Sequence, residues 1–286
     1  MLKKTAIYIV NKAYKKSLEF LFFRRKILAK SNAFLCSFPK SGRTWVRFFL
    51  INYLSQIFNH DIEVNFDNSI LYTPSIKNRK SIKFAEEKLE KDLGFLIFSS
   101  HEIFNKNKMA DSKIILIIRS LFDVIISLYF HKYSHHQTYI GSIQDFVRSE
   151  SLSLVPIIEY YEGWVRAIKT QKIQNKNLLL IRYEDLRDDN YKGFKDILTF
   201  LGIEVNEQIL RSSILKSSFD SMKTIERIKR DSDSRDDNDS MRVRRGLVGG
   251  YKEYLGSEDI FFIKSFFEKR SSQELKSFFA KYKINV

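Results

Sequence analysis

The chain has 286 residues, 44% of them hydrophobic, with only 10 Gly and 3 Pro; this composition excludes disordered and fibrous classes and suffices for one substantial core. Its 49 Lys and Arg against 34 Asp and Glu leave a formal charge of +15, which favours anionic partners (nucleotides, acidic glycans, nucleic acid, anionic lipid) without choosing among them. The single cysteine, Cys36, rules out an internal disulfide and a cysteine-rich metal site and suits a reducing, cytoplasmic compartment.

Residues 1–30 read as a basic amphipathic helix, with Ile7, Val10, Tyr14, Leu18, Leu21 and Phe22 recurring at three- and four-residue spacing among Lys and Arg. Two readings stay open for it: peripheral contact with a membrane surface, or an apolar stripe packed on the domain. The apolar stretch ending at Val10 is too short for a secretory core, and no later run reaches the ~20 apolar residues of a membrane span. Ala33 to Phe38 is a short apolar run closed by Pro39, which predicts a buried strand entering a loop at Lys40, Ser41 and Gly42. Thr44 to Phe58 is apolar almost all round, as expected of a helix packed beneath its own sheet. Strand, loop and helix amino end together aim consecutive backbone N–H groups at one concavity, which makes an anion cradle. Gly42 permits close approach, Lys40 adds a mobile charge, and Ser41 and Thr44 add hydroxyls, so a phosphate or phosphosulfate is the natural guest. The Walker pattern is missing, because no Gly stands five residues before a Gly-Lys-Ser or Gly-Lys-Thr.

Residues 61–92 are polar and weakly periodic, predicting a surface excursion with one helix around Lys83 to Leu93 and a natural place for acceptor contacts. Phe95 to Ser99 and Lys113 to Ile118 read as parallel strands buried on both faces. His101 follows the first of them. At a strand's carboxyl end a histidine projects into the crevice and takes a proton near neutral pH, which makes it the candidate general base. After the second strand, Arg119 and Ser127 flank the start of a helix predicted over Leu121 to Lys132, and an arginine fork with a serine hydroxyl suits a phosphate. His131, His135 and His136, among Tyr129, Tyr133 and Tyr139, lack metal-ligand spacing and read as a polar helix end.

A helix over Pro156 to Lys172, a strand over Asn177 to Arg182 leading into Tyr183-Glu184-Asp185-Leu186, and a helix over Tyr191 to Leu201 complete an alternating pattern. It predicts an α/β fold: one domain with a central parallel sheet flanked by helices and a ligand crevice at the carboxyl ends of the strands. Residues 230–245, dense in Asp, Ser and Arg, predict an exposed mobile loop. Beyond it, Phe261, Phe262, Ile263, Phe266, Phe267, Leu275, Phe278 and Phe279 are expected to pack a helical carboxyl end onto the body.

Pro39-Lys40-Ser41-Gly42-Arg43-Thr44-Trp45 resembles the phosphosulfate loop, Pro-Lys-Ser-Gly-x-Thr-Trp, of the sulfotransferases that use 3′-phosphoadenosine 5′-phosphosulfate (PAPS). The resemblance runs from about Phe34 to Tyr251. It implies a P-loop-nucleotide-binding-like domain over 31–286, PAPS as donor, adenosine 3′,5′-bisphosphate (PAP) as product, and no metal. It also implies that Lys40 contacts the bridging oxygen of the leaving group and that Trp45 lies against the adenine, with Ser41, Gly42, Arg43 and Thr44 completing the loop. Arg119 to Ser127 is similar to the family's 3′-phosphate signature, Arg-x-Pro-x-Asp-x-x-x-Ser, without its proline. Tyr183 stands at the family's adenine-contacting tyrosine. Ser217-Ser218-Phe219 with Met222 resembles an element beside the adenine, and Arg244-Arg245-Gly246 with Gly249 resembles the closing motif, although Gly250 and Tyr251 replace its usual Asp-Trp. His101 stands at the family's catalytic histidine, but Ser99 and Ser100 precede it where Lys-Thr is common, and Arg43 departs from the usual Thr or Asn. Arg43 is therefore a candidate to restore the missing charge.

The expected reaction is in-line transfer of a sulfuryl group to a hydroxyl or amine of an acceptor that is a glycan, a lipid, a peptide natural product or a small molecule, the net charge favouring an anionic one. No nucleic-acid partner is expected. Two rivals are an ATP-dependent small-molecule kinase on the same scaffold and a basic module binding nucleic acid or acidic lipid. Tight PAP binding with little preference for ATP excludes the first; a requirement for Lys40 excludes the second.

Overall fold

Four apolar runs pair into one all-parallel sheet in this computed structural model, which describes residues 32–230 and 241–286 apart from 110, 136 and 171, together with Glu19 and Phe23. The strands are β1 (Ala33–Ser37), β2 (Ile97–Ser100), β3 (Lys113–Ile118) and β4 (Leu178–Arg182), in the order β2-β1-β3-β4. Every residue of β1 and all of β3 beyond Lys113 are buried, as an apolar strand covered on both faces must be. Ala33 pairs with Ile97 on one side and Lys113 on the other, and Ile114 pairs with Leu178. All four carboxyl ends therefore finish along one edge. The chain leaves β1 for β2, then crosses back over β1 to β3, so the sheet's switch point lies at the end of β1.

Parallel strands need crossover connections, and helices supply them. Helix α1 (Arg43–Ile57) follows β1 and is buried without a break from Phe48 to Ser55. Helix α2 (Leu121–Phe130) follows β3, and α3 (Leu154–Lys169) leads toward β4. Beyond β4 come α4 (Tyr183–Asp188), α5 (Asn190–Leu201), α6 (Glu207–Lys216) and α7 (Phe219–Arg230). Phe194 of α5 stacks on Phe49 of α1 at 3.9 Å. The carboxyl end forms α8 (Ser257–Arg270) and α9 (Gln273–Lys281), which dock on α3 through Tyr161 and Phe279. Ile263, Phe267, Leu275, Phe278 and Phe279 are buried as the pattern predicts, but Phe261 is 72% exposed, on the face of α8 opposite the buried Asp259, Ile263 and Phe267.

Residues 61–92 are more ordered than their polarity predicts. Short helices at Ser69–Tyr72 and Arg79–Ala85 lead into a π-helical turn at Glu86–Glu90, and Tyr72, Ile82 and Leu89 are fully buried. The segment runs along the outer edge of β2, where Ser75 bridges Ser99 and the Ser99 N–H donates to the Pro74 carbonyl at 2.9 Å. An open edge strand needs partners for its backbone, and this excursion provides them. Helix α2 stops at Phe130 and continues as a π-helical turn, His131–His135. Most of the predicted amino-terminal helix lies outside the described residues, although Phe23 packs against the core with the Arg79 guanidinium over its ring. Residues 231–240 of the predicted mobile loop also lie outside them. Among the described residues no helix is long and apolar enough to cross a membrane.

Candidate active site

The chain between β1 and α1 turns twice through the left-handed region, at Lys40 (φ 69°) and Gly42 (φ 101°). For a lysine this costs about 1–2 kcal/mol, and the turn brings the Lys40 carbonyl to Arg119 Nη1 at 3.0 Å. Gly42 is required by space as well as by φ, since a Cβ there would lie 2.5 Å from the Tyr183 ring. Helix α1 begins with no side-chain cap and no acidic residue in its first turn. The Trp45 N–H turns back to the Gly42 carbonyl at 3.0 Å, and the N–H groups ahead of it and the positive end of the dipole are left without an acidic side chain, as suits an anion.

Lys40, Gly42, Arg43, Thr44 and Trp45 line one cleft of about 330 Å³, and Arg119 and Ser127 line the same cleft from β3 and α2. Tyr183, Phe219, Arg244, Arg245, Gly246 and His101 border it as well. Two of the predicted residues do not. Ser41 is fully buried behind the loop, and the Ser217 hydroxyl donates to the Ser213 carbonyl at 2.7 Å, closing the last turn of α6. Both were singled out by motif position, which does not say to which side a hydroxyl turns.

The cations at the far end of the cleft are oriented by the protein. The Arg119 guanidinium lies 4.1 Å above the Tyr183 ring and donates from Nη2 to the Leu247 carbonyl at 3.1 Å, joining the first loop to the segment 241–251. Arg244 donates to the Tyr254 hydroxyl at 2.6 Å over the face of Phe130, and Arg245 pairs with Glu253. The Tyr183 hydroxyl donates to the Gly246 carbonyl at 3.2 Å, and the Trp45 ring meets Tyr183 edge-on at 6.0 Å.

Three buried or half-buried acids, to which the sequence reading gave no role, fix the backbone that carries these groups. Asp123 accepts the N–H of Gly249 at 2.9 Å and of Tyr251 at 3.1 Å, while the Tyr251 ring stacks on Phe122 at 4.6 Å. Glu226 accepts the N–H groups of Arg242 and Val243 at 2.7 and 3.0 Å. Glu184 accepts the Ser120 N–H at 2.8 Å and so holds the turn after Arg119. Asp123 stands inside the Arg119–Ser127 motif, and that position was its only signal. Arg187 and Arg242 line the cleft too; Arg187 stands one helical turn from Tyr183, with its guanidinium over Trp45. Replacing Asp123 with alanine removes the acceptor of two half-buried N–H groups and frees the segment 246–251. The expected result is at least a tenfold loss of PAP affinity, about 1.4 kcal/mol, with faster amide exchange at Gly249 and Tyr251. Protection of those amides at the wild-type level would remove Asp123 as the anchor.

The electrostatics of the cleft are one-sided. Burial pushes Lys40 down to about 8, with Arg119 adding to the shift and Glu226 opposing it. His101 is pushed down to about 4, first by burial, then by the charge of Arg43, with Arg47 and Lys40 contributing. His101 is an exposed residue that borders the cleft, and its Nδ1 is 2.7 Å from the Ser37 carbonyl. A carbonyl only accepts, so Nδ1 carries the proton and Nε2 keeps its lone pair. Among the described residues, no group of three or more His, Cys, Asp or Glu is arranged to hold a metal.

Pro39 and His101 also border a second, more open groove of about 480 Å³. Phe38, Ile103, Leu128, Leu152, Pro156 and Tyr160 make its walls, and Lys132 and Glu159 are its charged members.

Cations converging at the carboxyl edge of a parallel sheet, around a loop that opens a helix, define an α/β protein built to hold a phosphorylated nucleotide. The chain belongs to the sulfotransferase family: the family's sulfotransferase domain matches residues 30–278. It is similar to cytosolic sulfotransferase 15 of Arabidopsis thaliana, 24% identical over 263 residues that cover 81% of this chain and 69% of the relative. It is also similar to sulfotransferase 2A1 of Macaca fascicularis, 25% identical over 242 residues and covering 80% of each chain. Among solved structures, retinol dehydratase in complex with androsterone and inactive cofactor PAP matches with a TM-score of 0.64 at 16% identity, covering 87% of this chain and 84% of that one. Mouse sulfotransferase SULT7A1 complexed with PAP matches with a TM-score of 0.59 at 22% identity, covering 88% of each chain. At such identities the structural likeness speaks to the fold, which is the parallel-sheet architecture that the strand and helix pattern predicts.

Proposed function

We propose that this sulfotransferase moves a sulfuryl group from PAPS to a hydroxyl or amine borne by an acceptor with an apolar body. The observation that carries the reading is that the Lys40–Trp45 loop, the Arg119 and Ser127 pair, and His101 border a single cleft. Lys40 and the first N–H groups of α1 serve the phosphosulfate. Trp45, Tyr183 and Phe219 serve the adenine. Arg119, Ser127, Arg244 and Arg245, with the backbone at Gly246, serve the 3′-phosphate, where Arg forks are well suited to pair with phosphate oxygens.

The acceptor oxygen or nitrogen forms a bond to sulfur as the bond between sulfur and the 5′-phosphate oxygen breaks. The leaving electron pair stays on that phosphate oxygen, where Lys40 and the helix dipole stabilise it. The acceptor proton passes to His101 Nε2, the nitrogen that the Ser37 carbonyl leaves free. Asp123 is the one carboxylate lining the cleft among the described residues, and two backbone N–H groups occupy it. Fixed cations therefore answer the donor's charge, and chelators are expected to leave activity intact.

The second groove touches His101 and carries mainly apolar walls, which favours an apolar acceptor over a glycan. Lys132 is the cation there that would receive an anionic group on such an acceptor. Labelled-sulfate transfer from PAPS into pools of alcohols, phenols and amines tests the reading, beside PAP and ATP competition. Expected are labelled apolar products, PAP binding far tighter than ATP, and loss of transfer in Lys40→Ala. ATP binding as tightly as PAP would favour a kinase instead.

A further inference from the structure

We infer that Arg43 contacts the sulfonate oxygens of the bound donor and supplies, from the first turn of α1, the cation that the chain lacks at the residues preceding His101. The inference rests on the sulfotransferase reading of the cleft and adds to it the residue that holds the transferring group.

Neither residue before His101 can serve. Ser99 is buried and donates its hydroxyl to the Thr73 carbonyl at 2.9 Å, out toward the edge of the sheet. The Ser100 hydroxyl accepts the Glu102 N–H at 3.0 Å, and neither side chain carries charge. Arg43 is placed differently. It follows Gly42 directly, begins α1, and lines the cleft together with Lys40 and His101. Its guanidinium makes no hydrogen bond or ion pair with a described residue, and the acidic groups whose charge would reach it are the Cys36 thiol and the Tyr160 phenol. Burial pushes Cys36 up to about 12 and Tyr160 well above its ordinary range, so both are neutral and neither balances the arginine.

The next turn of the helix adds to the imbalance. Arg47, four residues along the same face, donates to Thr73 Oγ1 at 3.0 Å and to Ser69 Oγ at 3.2 Å, again to neutral hydroxyls. Two arginines at this spacing repel one another, and burying them without a carboxylate is unfavourable in the protein alone. An anion resolves the imbalance. Arg47 is held back by its hydroxyl partners, which leaves Arg43 as the member of the pair that borders the cleft. The charge of Arg43 already acts on His101, where it is the strongest single charge holding the imidazole neutral. A sulfuryl group in flight must lie between the leaving phosphate at Lys40 and the base at His101. Arg43 lines the same cleft as both, and its planar fork matches two sulfonate oxygens.

The test compares PAPS turnover, PAPS affinity and PAP affinity in wild type, Arg43→Thr and Arg43→Lys, with the imidazole titration of His101 followed by NMR. PAP carries no sulfonate. Arg43→Thr is therefore expected to lower kcat by ~10²–10³-fold, the scale for removing one donor to a developing charge, with weaker PAPS binding and PAP affinity within threefold of wild type. The His101 titration is expected to move up toward its ordinary value. Arg43→Lys, which keeps the charge but loses the fork, should recover part of kcat. Unchanged turnover in Arg43→Thr overturns the inference, and so does an equal loss of PAP and PAPS affinity, which would assign Arg43 to the phosphate. Wild-type protein that neither binds PAP nor transfers sulfate would instead overturn the underlying reading of the cleft.

Discussion

His101→Ala is expected to lower turnover by ~10²–10⁴-fold, the usual contribution of a positioned general base, while PAP binding stays within a few-fold of wild type. The separation follows from position. His101 sits just past the end of β2, on the border between the cationic cleft and the apolar groove, whereas the groups assigned to the nucleotide lie on the turns after β1 and β3, on α1, α2, α4 and α7, and on the segment 241–251. The Ser37 carbonyl holds Nδ1–H and so fixes which nitrogen faces the acceptor. His101→Gln keeps a donor for that carbonyl but offers no basic nitrogen, and should be as inactive as alanine. Equal PAP affinity with full turnover in either variant would remove His101 from the chemistry.

The pH dependence follows from the same contacts. The base works as neutral imidazole, and burial with the Arg43 charge pushes it down to about 4. Activity on the acid side should therefore hold through pH 6 and fall only as pH approaches about 4, well below the ~6.5 of an unperturbed histidine. Lys40, pushed down to about 8, must stay charged, so activity falls as pH rises through that value. A bound polyanionic donor raises both limits, because it offsets the cations that depress them. The stability linkage has the same sign for His101: its folded-state value lies below its unfolded one, so stability present above ~6.5 is lost as pH falls toward about 4. A kcat/KM profile with its acid limb at 6.5 would show that the cleft does not depress His101.

The sheet is legible because β1 and β3 are apolar without alternation, a pattern that only two-sided burial explains, and because Pro39 with the Lys40-Ser41-Gly42 loop closes the first run and Arg119 follows the second directly. What escaped the sequence lay in contacts across long separations. Asp123 reaches Gly249 and Tyr251, and Glu226 reaches Arg242 and Val243; a carboxylate bound to backbone N–H groups leaves no mark on the sequence of its partners. The 61–92 segment looked like surface because its polar residues outnumber its apolar ones. Yet apolar side chains spaced along it, Phe66, Tyr72, Ile76, Ile82, Ala85 and Leu89, do bury, and the need of β2 for an edge partner is a property of the sheet rather than of the segment. Ser217 marks the opposite limit, a residue in a recognisable motif whose hydroxyl is committed to its own helix.

Gly42→Ala is expected to abolish measurable PAP binding, a loss of at least 10²-fold, and to lower the melting temperature. The position has φ 101°, where an L residue costs about 1–3 kcal/mol. The added Cβ would also stand 2.5 Å from Tyr183 Cδ2 and 2.9 Å from Cε2, atoms of a ring that cannot bend away as a flexible chain does. Tyr183 must then shift, and with it go the guanidinium stack of Arg119 at 4.1 Å and the hydroxyl contact to the Gly246 carbonyl. Arg119 also grips the Lys40 carbonyl and the Leu247 carbonyl, so one methyl group displaces the loop, the aromatic wall and the segment that borders the cleft's far end. Gly94→Ala separates strain from collision: Gly94 has φ 73° but nothing lies within 4 Å of the added carbon, and it is not among the residues that line the cleft. That variant should lose stability and keep PAP binding. If Gly42→Ala bound PAP as Gly94→Ala does, the Tyr183 ring would not be what couples the loop to the rest of the site.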